Sequence, residues 1–270
     1  MAFQAIRSVP PLDKIPTAGY KIAIDTDFGE FFFPEEDNVI YKSIELTGKW
    51  DPVEIEWLTR YVKPGMTCIN IGAHIGYFSK ILGVLVGDKG KIISVEANPR
   101  LIPFLQKNLW GLECEVEIYP AAASNRRGTG TLHVDSFNTG DNRLFRSKLN
   151  KYESQSNQLD IQLAVRTFPG DDILINALDF ILIDGQGWDH VVIEGLTNTI
   201  NMFRPTILCE FVPTWISELG SNPLEVLLQF QKLGYDIYAL SGDKLTPEEL
   251  LETASPANWC MNIILRFENA

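Results

Sequence analysis

The sequence has few of the residues that usually hold a metal ion or a nucleic acid. It contains three histidines and no C-x-x-C pair among its four cysteines, Cys68, Cys114, Cys209 and Cys260. Because no histidine stands at ligand spacing from a cysteine, we expect no metal site and interpret the cysteines as buried free thiols. The 23 Lys and Arg residues are outnumbered by 35 Asp and Glu residues, which gives a formal net charge of −12. Binding to nucleic acid or to an anionic membrane needs clustered basic side chains, so we expect neither partner.

Long apolar segments are also missing. The longest apolar run, Ile81–Val86, is far too short to cross a bilayer. Residues 1–10 contain no apolar core of the length that a secretory signal needs, and we therefore expect a cytoplasmic protein. The chain has 270 residues, which is enough for one large domain with an extension.

From residue 51 onward, strand and helix patterns alternate. Seven strands are predicted, at Cys68–Ile71, Lys91–Glu96, Glu115–Tyr119, Leu178–Asp184, Thr206–Glu210, Tyr235–Leu240 and Met261–Phe267. Helices are predicted at Asp51–Pro64, Gly76–Val86, Pro99–Trp110, Asp189–Phe203 and Leu224–Leu233. Nearly continuous apolar strands such as Phe180–Ile183 indicate burial on both faces. The pattern predicts an α/β fold with a doubly wound, seven-stranded, mostly parallel sheet.

Two segments depart from this alternation. Residues 1–50 contain two strand-like runs, Lys21–Asp25 and Glu30–Phe33, on either side of a Thr-Asp-Phe-Gly turn. They predict a β-hairpin in an N-terminal hairpin and helix extension, which caps the domain at 51–270 or forms a dimer contact. Residues 135–158 are polar and have no periodicity, and both a lid and a disordered loop fit such a segment.

A glycine turn and a later acid predict a pocket for a nucleoside cofactor. Gly72-Ala-His-Ile-Gly76 follows a buried strand and opens a helix, and Glu96 ends the next strand. The acid is therefore expected beside the turn, where it can accept hydrogen bonds from both ribose hydroxyls. We expect a side chain at Gly72 to collide with the ligand more than with the core. The G-x-x-x-G spacing lacks the central glycine that brings a pyrophosphate to the helix, which favours S-adenosylmethionine over NAD.

Together with later segments, these motifs resemble the FkbM family of class I S-adenosylmethionine-dependent methyltransferases. The resemblance covers about residues 51–268 and is carried by five segments, Lys63–Ser79, Val95–Pro99, Tyr119–Ser124, Asp184–Leu196 and Arg204–Glu210. It implies a Rossmann-like methyltransferase fold and S-adenosyl-L-methionine as cofactor. It also implies methyl transfer to a hydroxyl of a small molecule or sugar, either a natural product or a glycan. Whether the protein forms a homo-oligomer stays open.

The resemblance also suggests which residues contact the cofactor. They are Gly72, His74, Gly76, Tyr77, Glu96, Asn98, Ala122, Ser124 and Asp184. Three positions depart from the family pattern. Asn70 stands where an aspartate is common, His74 where an asparagine is usual, and Gln186 where a D-x-E-G pattern has glutamate. The last change removes a charge near the expected reaction centre.

The segment after the fourth strand carries the candidate catalytic groups. We predict that His190 removes the proton of the acceptor hydroxyl, with Asp184 as its positioning partner and Glu210 as a further acid at the same edge. Each has a structural alternative: Asp184 can close the strand-to-helix turn, His190 can face solvent, and Glu210 can stabilise a helix terminus. Two alternatives for the whole protein remain, a binding-only protein that keeps the cofactor pocket and an NAD-dependent oxidoreductase.

Overall fold

A central sheet with helices on both faces organises the molecule. The computed structural model describes residues 4–10, 19–23, 26–135, 138–146, 161–253 and 260–267. From one edge to the other, the strands of the central sheet are β12 (Lys244–Leu245), β11 (Tyr235–Ala239), β13 (Met261–Phe267), β10 (Thr206–Phe211), β9 (Phe180–Ile183), β3 (Thr67–Ile71), β4 (Lys91–Val95) and β5 (Glu115–Tyr119). The strands from β10 to β5 are parallel, and β13 runs antiparallel between β10 and β11. The doubly wound, mostly parallel sheet is confirmed, and the short strand β12 adds an eighth member to the predicted seven.

Two apolar cores lie on opposite faces of this sheet. The helices that cover them are α1 (Ile40–Thr47), α2 (Pro52–Tyr61), α3 (Tyr77–Val86), α4 (Ile102–Leu109), α5 (Asp189–Glu194), α6 (Thr197–Phe203), α7 (Pro213–Glu218), α8 (Pro223–Lys232) and α9 (Pro247–Thr253). Successive strand residues point to opposite faces. Cys68 and Leu182 therefore join the core under α2 and α3, whereas Ile69 and Ile181 join the core under α5, α6 and α8.

The helix predicted over Asp189–Phe203 is divided into α5 and α6. The carbonyl of Gly195 accepts a hydrogen bond from the Asp171 backbone N–H at 2.8 Å, and the Asp171 carboxylate accepts one from the Thr199 N–H at 2.8 Å. The second contact supplies an acceptor to the unpaired N–H groups of a new helix N-terminus. Our single-helix prediction was wrong because this acceptor lies far away in the sequence.

A second, three-stranded sheet was not predicted. It consists of β6 (Ala122–Ser124), β8 (Ile161–Pro169) and β7 (Gly128–Val134), in that spatial order. Glycines at 128 and 130 weaken the strand signal of β7, since glycine has no side chain to pack. The polar segment 135–158 connects β7 to β8, and its residues 136–137 and 147–158 lie outside the described residues.

The predicted N-terminal hairpin is present. β1 (Tyr20–Ala23) pairs antiparallel with β2 (Phe31–Pro34). The side chain of Asn108 fixes the hairpin to α4, because it accepts a hydrogen bond from the Phe32 N–H at 2.7 Å and donates one to the Phe32 carbonyl at 3.0 Å. The hairpin phenylalanines share the apolar core of α2 and α3, so this part of the extension packs on the main domain. A role in dimerisation stays a prediction.

The cysteines agree with the expectation from the sequence. All four cysteines are free, three of them are buried, and Cys260 is half-buried. In the described part of the chain, no helix has the length and apolar character needed to cross a membrane.

Candidate functional site

The glycine turn after β3 lies at the carboxyl edge of the sheet, as predicted. Gly72 has a φ of 81°, and a Cβ placed there would lie 1.9 Å from the carbonyl oxygen of Asp184. A Cβ at Gly76 would lie 2.7 Å from Leu105 Cδ1. Our expectation that a side chain at Gly72 would meet mainly the ligand was therefore wrong. This glycine is required first by the neighbouring chain segment, which passes too close for any side chain.

Glu96 ends β4 beside this turn and is held in place by two backbone groups. Its Oε2 accepts a hydrogen bond from the His74 N–H at 2.6 Å, and its Oε1 accepts one from the Asn98 N–H at 2.7 Å. Burial raises the pKa of Glu96 to about 7, although both hydrogen bonds oppose the shift. Each carboxylate oxygen has a second lone pair, so the fixed carboxyl group can still accept two hydroxyl hydrogens.

His74 links the turn to the polar segment after β7. Its Nε2 lies 3.0 Å from Thr139 Oγ1, and the Thr139 hydroxyl donates a hydrogen bond of 2.5 Å to Asp37 Oδ2. Because the threonine hydrogen points to Asp37, Nε2 is the donor to Thr139. Burial lowers the pKa of His74 to about 4, which leaves a neutral ring. The segment 138–146 is therefore packed over the turn, and its action as a lid stays a prediction.

A cavity of about 100 Å³ opens between these groups. Six predicted cofactor residues line it: Gly72, His74, Tyr77, Glu96, Ala122 and Asp184. The lining also contains residues that the sequence analysis did not select, among them Trp50, Thr139, Asn142 and Trp188. The Trp188 indole N–H is buried and has no hydrogen-bond partner among the described residues.

Gly76, Asn98 and Ser124 are not among the residues that line the cavity, and their contacts with the cofactor stay a prediction. The Asn98 side chain accepts a hydrogen bond from the Arg100 N–H at 3.0 Å, which fixes the turn that follows Glu96. Ser124 is buried in β6. Tyr77 does line the cavity, but its hydroxyl already accepts a hydrogen bond of 3.0 Å from the Trp50 N–H.

Asp184 and Gln186 lie at the carboxyl end of β9, where a second cavity meets the first. Both residues line both cavities, and the second has a volume of about 280 Å³. The side-chain amide of Gln186 donates a hydrogen bond of 2.6 Å to Asp184 Oδ1. Burial raises the pKa of Asp184, while this hydrogen bond acts in the opposite direction. The amide that replaces the usual glutamate therefore favours the charged form of Asp184.

Asp189 is the acid that closes the turn after β9, a role that we had considered for Asp184. Its carboxylate accepts hydrogen bonds from the Gly185 N–H at 3.2 Å and the Gly187 N–H at 3.1 Å. Burial and the nearby charge of Asp184 raise its pKa to about 8. The residue could have been selected from its place in the glycine-flanked loop, where turn N–H groups need an acceptor.

His190 does not contact either of these cavities, and the structure does not bring it together with Asp184 at the reaction edge. The side chain is 6% exposed, so it does not face solvent either. It lines a cavity of about 10 Å³ together with Cys209 and Glu210, which also line the second cavity, and burial lowers its pKa. We therefore withdraw His190 as the proton acceptor. A histidine in the first turn of a helix gave a chemical signal but no information on the direction of its side chain.

Glu210 does reach the second cavity, together with acids that the sequence analysis did not select. Its Oε1 accepts a hydrogen bond from the Cys260 thiol at 2.8 Å, and burial raises its pKa well above the ordinary value. Asp51 and Glu54 line the same cavity. Asp51 precedes α2 but makes no side-chain cap to it. Among the described residues, no group of three or more His, Cys, Asp or Glu is arranged to hold a metal ion.

Sequence comparison identifies similar proteins. Protein-L-isoaspartate O-methyltransferase 1 of Arabidopsis thaliana is 30% identical over 80 residues, which are 30% of this chain and 32% of that protein. Protein-L-isoaspartate O-methyltransferase of Triticum aestivum is 29% identical over 86 residues, which are 32% of this chain and 34% of that protein. The chain thus spans about a third of the length of the curated relatives that it matches.

Solved structures also align with this fold. Methyltransferase FkbM from Methylobacillus flagellatus KT aligns with a TM-score of 0.46 and 13% identity, covering 90% of this chain and 56% of that one. Fibrillarin of Aeropyrum pernix, solved with natively bound S-adenosyl-L-methionine, aligns with a TM-score of 0.39 and 14% identity. The alignment covers 97% of this chain and 87% of that one.

A family model described as the methyltransferase FkbM domain matches residues 70–237, well over half of the chain. The match contains the glycine turn, Glu96, Asp184 and Glu210. It confirms the resemblance inferred from the motifs and removes the NAD-dependent alternative, and S-adenosylmethionine is the cofactor. The chain belongs to the FkbM family of methyltransferases.

Proposed function

We propose that this protein transfers a methyl group from S-adenosylmethionine to a hydroxyl of a small molecule or sugar. The observation that carries the proposal is the meeting of two cavities at Asp184 and Gln186. One cavity contains the ribose-binding acid that the family motif predicts. The other is close to the size of a small-molecule site.

The residues of the first cavity fit the cofactor. Glu96 is held by two backbone N–H groups and can accept hydrogen bonds from a ribose. Ala121–Ala123 supply a flat apolar wall suited to an adenine ring. When bound, the cofactor supplies an electrophilic methyl group on a sulfonium.

The residues at the junction can position an acceptor and remove its proton. Methyl transfer is an in-line displacement, so alignment of the acceptor oxygen with the methyl carbon is the main requirement. Asp184 lines both cavities, and the Gln186 amide favours its ionised form. We assign to Asp184 the removal of the hydroxyl proton, a step typically worth ~10²–10⁴-fold in rate.

Calorimetry and a transfer assay test this proposal. S-adenosylhomocysteine should bind at one site per chain, whereas NAD should give no heat beyond dilution. A panel of sugars and hydroxylated small molecules is then incubated with methyl-labelled S-adenosylmethionine, and products that carry one added methyl group are identified by mass spectrometry. Cofactor binding without transfer to any compound would favour the binding-only alternative. The absence of cofactor binding would contradict the proposal entirely.

A further inference from the structure

The second cavity contains more carboxyl groups than methyl transfer requires. Asp51, Glu54, Asp184 and Glu210 all line its wall. Among the described residues that line it there is no lysine, arginine or histidine. A small cavity with four acids and no base has a strongly negative potential when the acids are ionised.

Burial makes the charges of Glu54 and Glu210 costly, whereas Asp51 is exposed. Glu54 is 7% exposed, and its Oε1 accepts a hydrogen bond from the Asn262 side-chain amide. Glu210 Oε2 is buried and has no hydrogen-bond partner among the described residues. A buried carboxylate is stable only with a matching cation or hydrogen-bond donor. Because Glu210 lines the second cavity, a cationic ligand there would supply the positive charge that this carboxyl group lacks.

Arg143 and His190 are basic side chains near Glu210, and neither lines the second cavity. Arg143 is buried and its Nε pairs with Asp141 Oδ1 at 2.5 Å. Its guanidinium also lies over the ring of Trp215, 3.9 Å from the ring centre. Arg143 weakly favours the charged form of Glu210, but it is not part of the cavity lining. Asp184 at the junction can balance the sulfonium of the cofactor and Asp51 is exposed, so Glu54 and Glu210 remain.

We propose that the methyl acceptor carries a protonated amine in addition to its hydroxyl, and that Glu54 and Glu210 bind this amine in the second cavity. The inference rests on the proposed methyl transfer, because it places the acceptor in the cavity that meets the cofactor site at Asp184. An ammonium group supplies both the positive charge and the hydrogen-bond donors that the carboxylates need. Phosphorylated and carboxylated acceptors are disfavoured, since like charges in a desolvated site repel.

Matched pairs of small molecules test this inference. The wild-type protein is saturated with S-adenosylhomocysteine, and binding is measured by protein-observed NMR. The probes are glucosamine with N-acetylglucosamine, and a linear diamine with the diol of the same length. A hydrogen bond to a charged group corresponds to about tenfold or more in affinity, so each amine should bind at least about tenfold more tightly than its neutral partner.

Variants of the cavity acids provide the matched control. Glu54→Gln and Glu210→Gln should each reduce the preference for the amine to about threefold or less, because a neutral amide gives no charge attraction. Glu56→Gln should keep the full preference, since Glu56 lies on the same helix but is exposed. Equal affinities within each pair, or amines that do not bind to the wild type, would overturn the inference.

A failure of this inference can be distinguished from a failure of the proposed methyl transfer. Binding of S-adenosylhomocysteine is measured in the same samples before any amine is added. Normal cofactor binding without a preference for amines would remove the cationic acceptor and leave the proposed methyl transfer intact. Loss of cofactor binding in the wild type would contradict the proposed function itself.

Discussion

The Gln186 side-chain amide donates a 2.6 Å hydrogen bond to Asp184 Oδ1 at the junction of the two cavities. An ionised glutamate at position 186 could not make this contact, because it has no hydrogen to donate. It would also place a second negative charge beside a buried carboxylate. The departure from the usual glutamate is therefore consistent with a role for ionised Asp184 as proton acceptor.

Restoring the glutamate should shift the pH dependence of the reaction. In Gln186→Glu, a like charge beside Asp184 should raise the pKa of Asp184 further. The rising limb of kcat/KM against pH should then move to higher pH, and kcat/KM near neutral pH should fall. Gln229→Glu makes the same charge change at an exposed position of α8 and should leave the profile unchanged. Superimposable profiles for Gln186→Glu and the wild type would show that Asp184 does not control the rate.

Two substitutions in the segment after β9 should have different consequences. Asp184→Asn removes the proposed proton acceptor and should lower kcat by about 10²-fold or more. His190→Ala should keep kcat within about threefold, because His190 does not line either of the two joined cavities, although the void left by the buried ring should lower the melting temperature. Single-turnover rates for folded proteins separate the two cases. A large loss of rate in folded His190→Ala would return this histidine to the mechanism.

Glu96→Ala should weaken cofactor binding. The substitution removes the acceptors for the ribose and the anchor of the His74 N–H, so S-adenosylhomocysteine should lose about 1.5–3 kcal/mol of binding free energy. Calorimetry at constant pH gives the change directly. Glu113→Ala, at an exposed position before β5, should bind as the wild type does. An unchanged dissociation constant for folded Glu96→Ala would exclude Glu96 from the ribose site.

The sequence predicted the central sheet and the cofactor side of the site. The seven strands and the placement of Glu96 beside the glycine turn follow from buried apolar runs and from the geometry of parallel strands. Contacts between distant segments could not be derived this way. The Asp171 carboxylate accepts a hydrogen bond at the start of α6, and Glu54 lines the second cavity. Neither residue has a local sequence signal that indicates its distant partner. His190 shows the same limit, because residue type suggests chemistry but the packing of α5 decides where the ring points.

The role of Gly72 can be separated from general backbone strain. Gly72→Ala would place a Cβ against the Asp184 carbonyl oxygen and should lower the free energy of unfolding by about 2 kcal/mol or more. Gly65→Ala is the control, since Gly65 has a φ of 85° but no atom within 4 Å of its Cβ position. The free energy of unfolding of Gly65→Ala should fall only by the ~1–2 kcal/mol that a side chain costs in the left-handed conformation. Urea unfolding measures both losses. Equal losses would show that the chain relaxes around position 72 at no cost.

Glu54 should make the stability of the ligand-free protein depend on pH. Burial and the charges of Asp51 and Asp184 raise the pKa of Glu54 from 4.5 to about 8, although the Asn262 hydrogen bond opposes the shift. Between these values the unfolded chain carries the ionised acid and the folded protein keeps the proton. The contribution of Glu54 to stability is therefore complete below pH 4.5 and is lost as pH rises towards 8, by at most about 1.4 kcal/mol per pH unit.

Glu54→Gln removes this titration. Its free energy of unfolding relative to the wild type should therefore rise steadily from pH 5 to pH 8 in urea melts. Glu96 and Asp189 also have raised pKa values, but their contributions occur in both proteins and largely cancel in the difference. Glu56→Gln, at an exposed site of the same helix, should differ from the wild type by the same amount at every pH. If the Glu54→Gln difference is also independent of pH, Glu54 is ionised in the folded protein at neutral pH, and the cavity then holds its charge without a ligand.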